Sequence, residues 1–255
     1  MWDNRVLAIC LVVISGSTLA ISDRASAQEC FPFPWLCQRP AEPRVQPEPP
    51  AEPRDIAPSY ERGYDRQRPT LYGPVAGERF PVPAVPLSEV DPAYLRRAVS
   101  YPSNEAPGTV IIDPRAHYLY LVQGGGRAIR YGIGVGRQGF GWSGVATIRD
   151  KQEWPDWYPP KEMIQRQPEL RRQVSTLRGG LGVAGGPGNP LGARAMYLWQ
   201  GNKDTLYRIH GTNEPSTIGQ SVSSGCIRML NQDVIDLYLR TPLGAKVVVL
   251  RSGLS

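Results

Sequence analysis

From Gly108 onward the chain alternates short apolar runs with glycine, proline and small polar residues. "TVIID" (109–113) and "HYLYLV" (117–122) are rich in β-branched and aromatic residues, and "QGGG" sets the second apart from "RAIRYGIGV" as a hairpin signal. "VATIR", "RAMYLW", "TLYRIH" and "KVVVL" carry the same signature downstream and read as further strands. One late segment has helical spacing instead. Asn231 is placed to cap "QDVIDLYLR", in which Val234, Leu237 and Tyr238 share a face. Many short strands, turn residues between them and one or two short helices predict a mainly β fold, a sandwich or barrel.

Upstream the pattern disappears. Residues 38–68 are dominated by Pro, Glu and Arg, with "PAEPR" at 40–44 and again at 50–54. Such a segment cannot bury enough apolar surface to fold, so it reads as an extended tether with a contour on the order of 100 Å. Residues 70–105 stay proline-punctuated. They hold one short helical candidate, "DPAYLRRAV", where Asp91 caps and Pro92 takes the first turn. The expected organisation is a tether over 28–107 and a folded domain over 108–251. At the N-terminus, Arg5 precedes "VLAICLVVISG", and "ASA" at 25–27 suits signal-peptidase cleavage. The apolar run is broken by Ser and Gly and falls short of the roughly 20 residues a membrane span needs. Residues 1–27 therefore read as a signal peptide. The protein is expected in the cell envelope or periplasm, with no permanent membrane span.

Export changes the meaning of the cysteines. Of the 4 in the chain, Cys10 would leave with the signal. Cys30 and Cys37 flank "FPFPWL" and can close a local disulfide loop in an oxidising compartment. That leaves Cys226 as a thiol, which is either an inert buried cysteine or one that does chemistry. A formal net charge of +6 calls for an anionic partner without choosing among nucleic acid, lipid and an acidic wall polymer.

His210 ends "TLYRIH" and is followed by the turn "GTNEP"; strict alternation puts Leu206, Arg208 and His210 on one strand face, with His210 at the rim. A thiol needs a partner that favours the thiolate, and one loop suffices to bring Cys226 of "SVSSGCIRM" back to this imidazole. Gly225 permits close approach of a substrate carbonyl, and the amides of 224–226 are candidates for an oxyanion hole. Ser223, Ser224 and Gly211 flank the pair as further substrate-binding candidates. Arg228 is expected on the thiol's face, suited to a carboxylate or to an ordinary ion pair. "GVGRQG" (134–139) matches G-x-G-x-x-G, but turn and strand residues follow it, so it reads as a bend and not a dinucleotide site. His117 is read as a structural strand residue. His117, His210 and Cys226 lack metal-ligand spacing, so neither metal nor cofactor is expected. Trp154, Trp157 and Tyr158 lie in an insert at 150–172 that is either a lid beside the catalytic loop or an aromatic anchor of a long loop.

"IHGTNEPSTIGQSVSSGCIRMLNQDVIDLY" resembles the signature of the L,D-transpeptidase catalytic domain, also called the YkuD domain. "GNPLGARAMYLW" and "IDPRAHYLYLV…RYGIGVGRQGF" are similar to its preceding segments, and the resemblance spans 108–251. This chain has Ser224 where many members have His or Asn before Gly-Cys. The resemblance implies a β-sandwich and peptidoglycan as substrate, with Cys226 as nucleophile and His210 as general base. It implies thiolate attack on the third stem-peptide residue at its L-centre, loss of D-alanine, and transfer of the thioester to an amine. That amine belongs to a neighbouring stem, giving a 3→3 cross-link, or to an envelope protein; a free D-amino acid or water would give exchange or trimming. Acylation by carbapenems is implied too, and acidic stem peptides suit a basic chain with no role for nucleic acid. The competing readings are a sortase-like cysteine transpeptidase, disfavoured by the tight His–Cys spacing, and a non-catalytic wall-binding module.

Overall fold

The computed structural model describes residues 70–136, 142–159, 161–166, 168–223 and 225–251, all within the compact unit Ala51–Ser255. The signal segment, the Cys30–Cys37 loop, the "PAEPR" segment and Ser224 lie outside the described residues. Among the described residues thirteen strands form: β1 (Arg97–Ser100), β2 (Val110–Asp113), β3 (Tyr118–Gln123), β4 (Arg127–Gly132), β5 (Val135–Gly136), β6 (Gly144–Glu153), β7 (Ser175–Leu177), β8 (Gly180–Gly182), β9 (Arg194–Gln200), β10 (Lys203–His210), β11 (Ser221–Ser223), β12 (Ile227–Arg228) and β13 (Lys246–Val249). Helix α1 spans Lys161–Arg166 and α2 spans Asn231–Arg240. The fold is mainly β, as its β-branched runs and glycine turns predict.

Nine strands make one mixed sheet in the order β1-β4-β3-β2-β13-β6-β9-β10-β12. Laid flat it would be roughly 40 Å wide at about 4.8 Å per strand, while the ten-residue α2 is only about 15 Å long. Yet one continuous apolar cluster joins Ile129 and Tyr131 of β4 to Ile209 of β10, Ile227 of β12 and Val234 and Leu237 of α2. The sheet must therefore fold over on itself around α2. Gly134, just past β4, closes the fold by exchanging two 2.9 Å hydrogen bonds with Arg228 of β12. A Cβ at Gly134 would meet the Thr217 carbonyl at 2.6 Å, so this glycine serves close backbone packing. β5 then pairs with β11, tying the 211–223 loop to the sheet's other end.

The folded unit begins well before the expected Gly108. β1 is an edge strand of the main sheet, pairing Arg97–Ser100 with β4. Tyr72, Val82, Val90, Leu95 and Val99 are all buried. Asp91 does cap, accepting from the Ala93 amide at 2.8 Å, but it caps only the single 3-10 turn Pro92–Tyr94, and "RAVS" continues as strand. Few apolar residues sit among these prolines, but the buried ones have partners: Tyr72, Val90 and Leu95 pack with Ile218 and Leu230, Val82 with Trp154, Ala193 and Ile235, and Val99 against β2, β3 and β4. Tyr72 donates to Asp233 at 3.2 Å, Arg96 lies 2.6 Å from Asp236, and Gln232 donates to the carbonyls of Gly73 and Pro83.

Two local expectations need correction. Asn231 does not cap α2; the cap position is Leu230, without a side-chain hydrogen bond. Its amide instead accepts from Ala193 N at 2.9 Å and donates to Thr212 O at 3.0 Å, which ties the start of β9 to the loop after His210. His117 lies in the turn before β3 and not in the strand, with φ 57° and Nε2 3.0 Å from Ser221 Oγ. Among the described residues no helix is long and apolar enough to cross a membrane.

Candidate active site

The site grows from the pairing of two strands. β12 runs parallel to β10, with Ile209 opposite Ile227 and His210 opposite Arg228. Both isoleucines are fully buried in the core. Side chains alternate along strands, so Arg208, His210, Cys226 and Arg228 project to the opposite face. There all four line one cavity of about 620 Å³. Cys226, just before β12, and His210 are diagonal neighbours across the strand pair. Gly225, at φ 128°, makes the bend that delivers the cysteine, and an L side chain there would be strained.

His210 is buried, and its Nδ1 lies 2.6 Å from the Gly211 carbonyl. A carbonyl only accepts, so Nδ1 carries the proton and Nε2 is the basic nitrogen. Gly211 is fixed by the hydrogen bond its N–H donates to Arg194 O at 3.0 Å and by close packing of Asn231 Oδ1, which leaves no room for a Cβ. Burial, assisted by the Arg228 charge, pushes the imidazole down to about 4, with the Gly211 contact opposing. Burial likewise raises the Cys226 thiol, opposed by a hydrogen bond from the Arg208 amide and by the charges of Arg208 and Arg228. At neutral pH the resting pair is therefore a thiol and a neutral imidazole.

Of the remaining predicted residues, Gly225 and Arg228 line the cavity, and Arg228 Nη1 pairs with the exposed Glu214 carboxylate at 2.9 Å. Gly211 contributes its carbonyl, and Ser223 ends β11. Trp157 and Tyr158 line the wall facing the cysteine, with Met163 of α1. Trp157 is held by reciprocal backbone hydrogen bonds with Val183 at 2.9 and 2.8 Å. Trp154 is elsewhere. It is buried with Val82, Ala193 and Ile235, stacks edge-on against Phe80 and donates Nε1 to Glu78 at 3.0 Å. It anchors the early segment and forms no part of a cavity wall beside the thiol. Leu206 lines the same cavity as Arg208 and His210, but not by strict alternation, since β10 bulges against β9 between Asp204 and Arg208. Sequence reading missed Arg208 as a neighbour of the sulfur and Asp204 as its partner. An Asp and an Arg four apart suggest a helical pair, and nothing in the sequence announces the bulge.

The family model for the L,D-transpeptidase catalytic domain matches residues 107–249. The chain belongs to this YkuD family. The probable L,D-transpeptidase ErfK/SrfK of Escherichia coli (strain K12) is 37% identical over 124 residues, 46% of this chain and 36% of that protein. The probable L,D-transpeptidase YbiS of the same strain is 32% identical over 150 residues, 57% of this chain and 45% of that protein. The chain thus spans less than half the length of either relative. Among solved structures, a Brucella melitensis protein described as a probable carnitine operon oxidoreductase is 53% identical, over 63% of this chain and 96% of that one, with a TM-score of 0.43.

Proposed function

We propose that the chain is an exported L,D-transpeptidase that carries an acyl group from a peptidoglycan stem peptide through Cys226 to an amine. The observation that supports this most is that His210, at the end of β10, and Cys226, just before the parallel strand β12, line one cavity, with His210 Nε2 left basic. In this reading the resting thiol gives its proton to Nε2 as the sulfur attacks the carbonyl of the third stem residue, so the thiolate exists only on the reaction path. The tetrahedral oxyanion takes hydrogen bonds from the amides of Gly225 and Cys226. The imidazolium then protonates the departing nitrogen of D-alanine, leaving a thioester on Cys226. An acceptor amine attacks that thioester with His210 again as base, forming the new amide and returning the thiol. The acceptor is a neighbouring stem or an envelope-protein lysine. Arg228 can release the exposed Glu214 to hold a substrate carboxylate, and carbapenems should acylate the same sulfur.

Incubation with defined tetrapeptide muropeptides, followed by mass analysis, tests the assignment. Loss of D-alanine with dimer formation supports it, whereas intact tetrapeptides would defeat it. Trp157 and Tyr158 serve as a wall for the stem peptide. Trp157→Ala should accordingly raise the KM for muropeptides about tenfold while alkylation of Cys226 by iodoacetamide keeps its rate. An unchanged KM would remove Trp157 from substrate binding.

A further inference from the structure

β10 departs from regular pairing just before it reaches the cysteine. Asp204 lies opposite Trp199 and Arg208 opposite Tyr197, so Thr205, Leu206 and Tyr207 all face the single Leu198. Bulges of this kind re-aim strands beside functional sites. This one is strained, because Leu206 sits at φ 63° with its side chain 76% exposed. A leucine holds that conformation only where its surroundings over-determine it.

Side chains of the bulge itself do so. The Leu206 amide donates to Asp204 Oδ1 at 2.8 Å, and the Tyr207 amide to Thr205 Oγ1 at 3.2 Å. Thr205 Oγ1 donates in turn to Leu198 O at 2.6 Å. The same Asp204 carboxylate grips Arg208 at both ends of its fork, 2.8 Å from Nη1 and 2.7 Å from Nη2. Arg208 is further held by the Tyr207 carbonyl at 2.9 Å and by the Tyr197 ring, 4.3 Å from its guanidinium carbon. Beyond the bulge the parallel pairing with β12 begins at Ile209 and Ile227, a register that sets Arg208 against Cys226. The Arg208 amide accordingly donates to the sulfur.

We propose that Asp204 is a positioning residue for the nucleophile: by fixing the bulge and clamping Arg208 it aims the Arg208 amide and charge at Cys226 Sγ. The significance of this aim rests on the reading of Cys226 as nucleophile, but its test reads the thiol alone. The charged and titratable groups lining the cavity around that sulfur are Tyr207, Arg208 and His210 on β10, Tyr197 on β9, Arg228 on β12 with its partner Glu214, and Asp156 and Tyr158. Of these only Arg208 is locked by Asp204.

The experiment is the pH profile of iodoacetamide alkylation at Cys226 in the full chain, followed by peptide mass analysis, for wild type, Asp204→Asn and Asp204→Ala. Asn keeps an acceptor for the Leu206 amide and loses the clamp; Ala loses both. A thiolate deprived of a hydrogen bond from an oriented amide should form less readily. Alkylation near pH 8 should then fall about tenfold in Asp204→Asn and further in Asp204→Ala, with the whole profile moved to higher pH. An unmoved profile in folded Asp204→Asn would overturn the proposal. So would a profile moved to lower pH, which is what simple removal of a negative charge gives. Should Asp204→Ala not fold, Asp204→Asn decides alone. A profile moved to higher pH in the variants, with no D-alanine release from muropeptides by wild type, would count against the function and not against this aim.

Discussion

His210→Asn should acylate about 10³-fold more slowly than wild type while remaining folded, as measured by single-turnover reaction with a tetrapeptide donor. Asn can still donate toward the Gly211 carbonyl, but it has no basic nitrogen for the thiol proton, and a positioned general base contributes about 10² to 10⁴. The substitution has a second readout. Buried His210 is neutral in the folded chain down to about 4, whereas an unfolded histidine gains its proton near 6.5. Between those values the unfolded state binds more protons, so this residue's contribution to stability is complete above about pH 6.5. It declines as pH falls toward 4 and is flat below. Its size is on the order of 3 kcal/mol. Asp233 acts in the opposite sense, because burial pushes its carboxyl up to about 7 and the folded state holds the proton longer. The wild-type profile therefore mixes both slopes. The difference between wild type and His210→Asn, from urea melts at pH 7 and pH 4.5, isolates the histidine. Equal pH dependence in both would contradict the burial assigned to this ring.

A chain starting at residue 107, where the family match begins, should not fold. Such a cut removes β1 and the buried side chains Tyr72, Val82, Val90, Leu95 and Val99, each worth roughly 2 kcal/mol of burial. That sum is comparable to the roughly 5–15 kcal/mol by which whole domains are stable. It also strands Asp233, which is buried with Arg96 as its nearby cation and Tyr72 as its hydrogen-bond donor. Arg96→Ala alone should cost about 1–3 kcal/mol, because it removes the 2.6 Å pair with Asp236 and the cation that holds the Asp233 carboxyl down, leaving Asp233 buried and protonated in α2. Thermal unfolding followed by circular dichroism checks both. A cooperative transition in the truncated chain within a few degrees of the full one would show that residues 70–106 are an accessory.

The strands after Gly108 were legible because β-branched and aromatic runs between glycine turns report local preference and burial together. β2, β3, β6, β9, β10 and β13 fall where those runs lie. The segment before Gly108 was not, because its prolines mask sparse anchors whose partners, Asp233, Asp236 and Gln232, come more than a hundred residues later. Cys226 and His210 stood out by residue type and mutual spacing, and both reach the same cavity. Asp204 and Arg208 did not, since their role depends on extra residues in one strand, which period-two reasoning ignores. Trp154 and Trp157 look alike in sequence. A neighbouring turn sends one ring to the core and the other to the cavity wall.

The most direct test is the intact mass and peptide map of the protein after brief exposure to a tetrapeptide donor or a carbapenem. One acyl group per chain, located on Cys226 and missing from Cys226→Ala, is the predicted result. An adduct on any other residue, or D-alanine release that persists in Cys226→Ala, would contradict it.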